Sequence, residues 1–475
     1  MLEPDAFGTA DGRYIEQLMR RTAAPVASRW LSIALRRMLV QPLATPANVN
    51  GADFAAERAW LLVRMGESIG ARAVVQSVDP DNYTPKLYQI ALQAALASGD
   101  PAGLCPLVPG AMAASNERGW TLIKAICVGL SGESAASAQL IKRAGNSGFA
   151  GGVDLLLAQK LAGQGAGGRQ AATIEWASVD HLSIWRFGLA TASGETIPDT
   201  LFDDMGRQVR YWQVLSPMVD PAGRAGQAEV AAAQGVLSNL ALVDLYGAVD
   251  ADADQSSAPG AVARDLRAAY TGPTVGARME ALRQLWEEPK VPAERYGRLI
   301  LTARAAARIP ADPSVTDVNR LVAAMVSVGM DRTATRWTGK AARGSIGWAL
   351  LALADPDDAR PWAASDIGAL DDPGGRKARM FLAGLAGLGK LDGAEAAARS
   401  YGVDLAGVNS WTRAIDAAAR ERRPGEVLVL AAVGMQTPDW SGVPPEALFH
   451  IVRALRVVGL GGMARMIAAE AVTRA

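Results

Sequence analysis

Leu61-Leu-Val-Arg-Met-Gly66-Glu-Ser-Ile-Gly-Ala71, Ala94-Ala-Leu-Ala-Ser-Gly99-Asp-Pro-Ala102 and Val128-Gly-Leu-Ser-Gly132-Glu-Ser-Ala135 are one phrase written three times. Each runs from apolar residues into Gly, passes through one or two polar or small residues, and restarts in an Ala-rich segment. Gly just past a helix supplies the left-handed residue that closes it. Small residues at the start of the next segment let its backbone approach the first. The glycines at 66, 99 and 132 repeat every 33 residues, the step of a helix-turn-helix repeat.

The phrase returns as Met325-Val-Ser-Val-Gly329-Met-Asp-Arg-Thr-Ala334, Leu385-Ala-Gly-Leu-Gly389-Lys-Leu-Asp-Gly-Ala394 and Arg456-Val-Val-Gly-Leu460-Gly-Gly-Met-Ala464. Elsewhere apolar residues recur at spacings of three and four, interrupted by Gly, Pro or Asp, which is helical period with short connections. The best β-like runs, Val74-Val75 and Val427-Leu-Val-Leu430, sit inside helical patterns. The chain therefore reads as all-α: roughly two dozen helices in antiparallel pairs, forming a degenerate tetratricopeptide-like α-solenoid. It is degenerate because the 33-residue register lapses between 140 and 320, and because the full tetratricopeptide consensus is not present.

Two seams interrupt the pattern. Leu161-Ala-Gly-Gln-Gly-Ala-Gly-Gly168 is Gly-rich enough for a flexible joint. Gly247-Ala-Val-Asp-Ala-Asp-Ala-Asp-Gln-Ser-Ser-Ala-Pro-Gly260 is acidic and unpatterned, as an exposed loop would be. They predict an N-terminal helical repeat array over 1–160, a Trp-containing middle block over 161–250 and a C-terminal array over 261–475.

Composition narrows the function classes. Among 475 residues, 48 are basic and 48 acidic, and a balanced charge argues against nucleic-acid binding, where affinity comes from neutralising phosphates. Half the residues are apolar, which excludes disorder of the whole chain. Ala (92) and Gly (49) outweigh the 27 aromatics, so the core is built of small residues at close range, as helix packed on helix requires. No apolar stretch approaches the ~20 residues of a transmembrane helix. Met1-Leu-Glu-Pro-Asp-Ala-Phe-Gly8 shows no secretory signal. As written the chain reads as soluble and cytoplasmic, or periplasmic if a signal has been removed.

Several motifs suggest chemistry. Gly163-Gln-Gly165-Ala-Gly-Gly168 has the spacing of a dinucleotide-binding turn, but such a turn follows a strand. What precedes it, Val153-Asp-Leu-Leu-Leu-Ala-Gln-Lys-Leu-Ala162, has a helical pattern. Gly384-Leu-Ala-Gly-Leu-Gly389-Lys390 fits the first seven positions of a phosphate-binding loop, yet Leu391 stands where a hydroxyl must reach Mg²⁺. The helix–Gly–helix phrase accounts for all of these residues, and no cofactor is implied. His181 and His450 lack the Cys or carboxylate neighbours of a zinc site.

Asp180 beside His181 could orient a general base. The same Asp precedes the apolar helix Leu182–Ala190, where an N-cap belongs, and the cap is the preferred reading. Together with Trp176, Trp185 and Trp212, these two residues make a candidate pocket. The competing reading has the tryptophans anchoring an Ala-rich core. Cys105 and Cys127 read as lying on consecutive helices of one hairpin, where a disulfide is within reach and would favour an oxidising compartment. Two buried, reduced thiols are the alternative.

Arg20, Arg21, Arg29, Arg36 and Arg37 gather near the N-terminus. They read as a solvated basic face and a candidate contact for an anionic partner or membrane surface. Arg outnumbers Lys 40 to 8, which beside so much Ala and Gly reads partly as the imprint of a GC-rich coding sequence.

Ala56-Glu-Arg-Ala-Trp60-Leu-Leu-Val-Arg-Met65-Gly66, Ser98-Gly-Asp-Pro-Ala-Gly-Leu-Cys105, Ala125-Ile-Cys127, Ile184-Trp-Arg-Phe-Gly-Leu-Ala190, Gly235-Val-Leu-Ser238 and Leu455-Arg-Val-Val-Gly-Leu460 together carry a resemblance. The chain resembles a family of uncharacterised alphaproteobacterial all-helical repeat proteins, some labelled antifreeze-glycopeptide-like polyproteins. The resemblance spans most of the chain and implies a bacterial envelope or cytoplasmic accessory protein. Its phrases are packing phrases and bring no catalytic residues, and the Pro-rich low-complexity sequence that the label suggests is absent here.

The leading expectation is a non-enzymatic scaffold or adaptor that presents the concave face of a solenoid to a protein or peptide. One alternative is an enzyme or small-ligand receptor with a pocket near Trp176–Trp212. Another is a periplasmic structural component of an envelope machine. Neither a nucleic-acid partner nor a transmembrane segment is expected.

Overall fold

The three turns spaced 33 residues apart are closed by the same pair of backbone hydrogen bonds. The Gly66 N–H donates to Val63 O (3.0 Å) and the Glu67 N–H to Leu62 O (2.9 Å). The Gly99 turn repeats this with Leu96 (3.1 Å) and Asp100 to Ala95 (2.9 Å), and the Gly132 turn with Gly129 (2.9 Å) and Glu133 to Val128 (3.1 Å). All three glycines take positive φ, at 83°, 66° and 94°. This is the Schellman closure of a helix C-terminus. It recurs at the other quoted turns, Gly329, Gly389 and Gly459. It also appears at Gly194, Gly235 and Gly402, and at Arg422, a non-Gly residue with φ 55°.

The computed structural model describes residues 2–115, 117–148, 150–166, 173–251, 257–358, 360–372 and 375–475. Every regular element among them is helical, and β pairing is limited to two single-residue bridges, Asp11 with Ala47 and Trp362 with Leu391. The β-like runs Val74-Val75 and Val427–Leu430 are both in helices.

The chain divides into two compact units. One, here the split unit, comprises Met1–Met38, Pro42–Ala47 and Ala225–Ala475. The other, the inserted unit, comprises Leu39–Gln41 and Asn48–Arg224. This division does not follow the seams near 161 and 250. Residues 161–224 belong with the helices before them, and 225–250 with those after. The N-terminal segment joins the C-terminal helices because its main chain pairs with them: Gly425 N–H donates to Ala6 O (2.8 Å) and Ala27 N–H to Met435 O (2.9 Å). Gly167 and Gly168 of the first seam and 252–256 of the second lie outside the described residues.

The first helices are α1 (Gly12–Arg21) and α2 (Arg29–Val40). The inserted unit continues with α3 (Gly51–Arg64), α4 (Ser68–Gln76), α5 (Pro85–Ala97), a 3-10 turn Pro101–Leu107, α6 (Val108–Ala114), α7 (Gly119–Leu130) and α8 (Ser134–Asn146). It ends with α9 (Val153–Gly163), α10 (Ile184–Ser193) and α11 (Arg207–Leu215). Next come α12 (Pro221–Ala233), α13 (Asn239–Asp250), α14 (Ala258–Thr271), α15 (Val275–Glu287), α16 (Pro292–Ala306), α17 (Val318–Ser327), α18 (Asp331–Ala334) and α19 (Ile346–Ala354). The last are α20 (Ala364–Ile367), α21 (Arg376–Leu388), α22 (Ala394–Ser400), α23 (Ser410–Arg420), α24 (Pro424–Gly434), α25 (Pro445–Val457) and α26 (Gly461–Arg474).

Local chemistry sets many of the starts. Asn50, Thr84, Ser183, Ser238, Thr274 and Ser345 accept backbone N–H groups as N-caps. Pro opens α5, α16, α24 and α25, where its missing N–H has no cost.

Helices joined by a Schellman turn pack together: α3 with α4, α7 with α8, α25 with α26, and α23 with α24 across Arg422. Beyond these pairs the order is sequential from α13 through α17 and departs from sequence elsewhere. In the inserted unit α5 lies against α3 and also against α10. In the split unit α25 lies against both α21 and α23, and α26 against α19 and α21. A solenoid repeat touches only its neighbours in sequence, and the contacts of α5 with α10, of α21 with α25 and of α19 with α26 depart from that order. Missing side chains permit the close crossings. A Cβ on Gly188 of α10 would stand 2.7 Å from Leu96 O of α5, and one on Gly387 of α21 would stand 2.9 Å from Val452 of α25.

Candidate functional site

Met466-Ile-Ala-Ala-Glu470-Ala-Val472 is apolar except for one carboxylate, and α26 turns that carboxylate inward, where Glu470 is 1% exposed. It meets the start of α2. Oε1 accepts the Arg29 N–H (2.8 Å), while Oε2 accepts the Trp30 N–H (3.2 Å) and the Ser28 hydroxyl (2.6 Å). The first N–H groups of a helix have no partner within it and form its positive pole. Glu470 thus works as an N-cap supplied from another helix. Trp440 Nε1 (3.4 Å) and Arg474 Nη1 (2.7 Å) also donate to Oε1.

The guanidiniums beside it hold the opposite pole of α12. Arg29 Nη1 donates to Ala232 O and to Leu237 O (3.2 Å), Arg36 Nη1 to Val236 O (3.0 Å), and Arg474 Nη1 to Ala233 O (3.3 Å). Three arginines grip the turn at Gly235, whose φ is 81° and where a Cβ would stand 2.9 Å from Arg29 O. Burial pushes the Arg29 guanidinium down to about 10, against the opposing pull of Tyr296 and Glu470. Arg474 lies 4.8 Å over the Tyr296 ring.

The same device recurs along the chain. Arg58 binds Leu39 O (2.9 and 2.7 Å) and Gln41 O (2.8 Å) at the end of α2, and Arg224 binds Val214 O in the last turn of α11 (2.9 Å). Arg336 reaches Ala307 O after α16 (2.7 Å) and Arg456 reaches Gly387 O in α21 (3.3 Å). Lys390 closes α19 through Ala352 O (2.9 Å) and Asp355 O (3.0 Å), and Arg465 adds Ala354 O (3.1 Å). A planar fork of donors suits the unpaired carbonyls at a helix's negative pole. Eight of the 40 arginines have this structural use, which composition alone does not reveal.

A second buried set joins α12, α13 and α16. The Tyr246 hydroxyl (2.5 Å) and Arg298 Nε (2.6 Å) both donate to Glu229 Oε1, and Arg298 Nη1 donates to Glu288 Oε2 (2.8 Å). Burial lifts the Glu229 carboxyl above its ordinary range, and the pull of Arg298 and Tyr246 does not cancel it.

His450 on α25 is buried, with Nδ1 3.4 Å from Asp416 Oδ1 of α23. Its Nε2 has no hydrogen-bond partner among the described residues. Burial works to raise the Asp416 carboxyl, but His450, Arg453 and Arg420 outweigh it and hold the group below its usual range. The described residues include no group of three or more His, Cys, Asp or Glu arranged to hold a metal ion. A recess of about 10 Å³, room for one water, lies beside the Gly99 turn among Arg72, Gln76, Ala91, Ala95, Gly103 and Leu107.

The residues singled out from sequence do not converge. Trp212 is buried, donates to Val63 O (3.1 Å) and packs 5.7 Å from Phe187, as a core anchor would. Trp185 is half-buried against Gly119, and Trp176 is half-buried in its own 3-10 turn. His181 is 78% exposed, 3.5 Å from Asp204. Asp180 is exposed and does not cap α10, because Ser183 takes that place and accepts the Arg186 N–H (3.2 Å). Among the basic residues, Arg20 pairs with Glu16 (3.9 Å) and Arg21 and Arg37 are exposed. Arg36 is half-buried and Arg29 is 3% exposed, so these five do not form one solvated face. The expectation fails because Arg29 stands where α2, α12 and α26 meet.

Sequence reading missed Glu470, Glu229 and the Asp416–His450 pair. The available signal was a single charge inside an apolar helical run, most clearly at Glu470.

Cys105 and Cys127 form a disulfide, with Cα atoms 5.6 Å apart. The two do not lie on consecutive arms of one hairpin. Cys105 is in the 3-10 turn and Cys127 in α7, with α6 between them. No helix among the described residues is long and apolar enough to cross a membrane.

Fold and clusters together define an all-helical protein built from helix–turn–helix hairpins, with buried charges set at helix ends. No family model, curated protein or solved structure matches the chain.

Proposed function

We propose that this protein is a non-enzymatic interaction scaffold or adaptor, working in an oxidising compartment such as the periplasm and binding a protein or peptide partner. The observation that carries this reading is the hairpin turn, repeated bond for bond at Gly66, Gly99 and Gly132 in 33-residue steps. Repeated hairpins build extended surfaces suited to a second chain. The proposed partner contact is on the outward-facing sides of the hairpins, a reading supported by α25 packing against α21 as well as against its neighbour α23. The disulfide supports the compartment. The resemblance to alphaproteobacterial repeat proteins is part of the same proposal.

A photo-crosslinking residue placed at Met112, Leu240 or Val408, exposed apolar positions on the two units, tests it in cells. A specific protein adduct at one of these sites is expected; absence of any specific adduct overturns the scaffold reading. The compartment has its own measurement. Thiol titration of unreduced, denatured protein is expected to find no free thiol, and two free thiols would remove that assignment.

A further inference from the structure

In the hairpin that turns at Gly99 the second arm is not an α-helix. Pro101 and Pro106 remove backbone donors, and Pro101–Leu107 winds as a 3-10 turn, whereas the Gly66 and Gly132 hairpins have α4 and α8 in that place. The turn and α6, Pro101–Ala114 together, rest on α5 and α7. Their large buried side chains are Leu104, Leu107 and Val108, while Met112 is 45% exposed. The covalent tie falls on this weak arm, joining half-buried Cys105 to half-buried Cys127 of α7.

The arm covers Tyr88, one member of an aromatic pair. Gly110 of α6 sits so near Tyr88 that a Cβ would overlap the tyrosine hydroxyl. The Tyr88 ring stands edge-on to Trp120 with centroids 5.9 Å apart. Trp120 is fully buried, and its indole N–H has no hydrogen-bond partner among the described residues.

We propose that Pro101–Ala114 is a redox-locked flap, closed over Tyr88 while Cys105–Cys127 is intact and released when that bond is reduced. The reductant is a dithiol. Its thiolate attacks one cysteine sulfur and expels the other cysteine as thiolate; the dithiol's second thiolate then attacks the mixed disulfide and expels the remaining cysteine, leaving two cysteine thiols and an oxidised dithiol. Release is expected to stay local because both cysteines lie in the inserted unit and neither is on α3 or α4. The inference deepens the oxidising-compartment reading, and the two fail separately: thiol titration decides the compartment, and amide exchange decides the flap.

The test is hydrogen exchange read by mass spectrometry on the full chain, oxidised and after dithiothreitol, with reduction of both cysteines verified by alkylation. Amides of 101–114 are expected to exchange on the order of 100-fold faster once the 22-residue loop is opened, with α3, α4, α25 and α26 unchanged. Unchanged exchange in 101–114 after verified reduction overturns the proposal. So does acceleration spread over both units, or a disulfide that dithiothreitol reaches only after global unfolding. The Cys105→Ser/Cys127→Ser variant is expected to reproduce the reduced pattern; if it does not fold, reduction of the folded wild-type chain carries the test.

Discussion

The hairpin at Gly66 and the charged junction around Glu470 solve one problem by opposite means. Both supply hydrogen bonds to helix ends. At Gly66 the partners lie within five residues, and one glycine with φ 83° sets the geometry. At Glu470 the partners that the carboxylate finds at the start of α2 lie 440 to 442 residues away along the chain. The first solution can be repeated wherever a glycine falls in register. The second is tied to its own residues, and forms only after the ends of the split unit have come together.

The comparison can be broken most forcefully at Glu470. Replacing it with Ala leaves the Arg29 and Trp30 N–H groups without their carboxylate, with Ser28 still capping the Leu31 N–H, and removes the counter-charge beside buried Arg29 and Arg474. A loss of about 3–5 kcal/mol is expected from urea denaturation. A loss below 1 kcal/mol would mean that the junction is held by packing alone.

The local turns rank below it and differ among themselves. A Cβ at Gly66 would meet the Tyr211 ring at 2.6 Å, while at Gly132 it would meet nothing within 4 Å. Gly132→Ala should cost only the left-handed backbone, about 1–2 kcal/mol. Gly66→Ala should cost more, because the buried ring must also move. Equal losses in thermal unfolding would contradict the packing described here.

Glu229 sharpens the comparison through pH. Its carboxyl is raised in the folded state, so the folded protein holds a proton that the unfolded chain has released. Stability contributed by this group therefore falls as pH rises from the ordinary 4.5 toward the raised value. Glu229→Gln, which keeps an acceptor for Tyr246 and Arg298, should remove that decline. Parallel slopes of urea midpoint against pH in the two proteins would refute it.

The smallest effect is a gain. Arg422 closes its turn from a left-handed conformation that favours Gly, and its side chain is exposed. Arg422→Gly should raise stability by roughly 0.5–1 kcal/mol in the same denaturation assay. A loss would show that the arginine holds a contact beyond its own turn.

These differences explain what could be read in advance. The turn at Gly389 was legible because Gly, Ala and the helical spacing agree over ten residues, and the rejected phosphate-loop match resolves into the Schellman turn plus Lys390 at the end of α19. The equivalent turn at Arg422 was illegible because its residue type contradicts its conformation. Arg29 looked solvated because helical periodicity reports which face is apolar, not which distant carboxylate will meet it. The Trp block was half legible: Trp212 anchors the core, while Asp180 lost the capping role to Ser183, three residues later. Packing order was hidden for the same reason as Arg29. Hairpins written 33 residues apart do not encode whether α5 will rest on its neighbour or on α10.

The discontinuity of the split unit also sets a timetable for the growing polypeptide. Residues 48–224 can be complete while Ser28, Arg29 and Trp30 still await Glu470 on α26. Through most of synthesis Phe7, Ile15 and Met19, all buried in the finished protein, remain without their final cover. The segment around Ser28–Trp30 therefore stays exposed to non-native partners until α26 supplies Glu470.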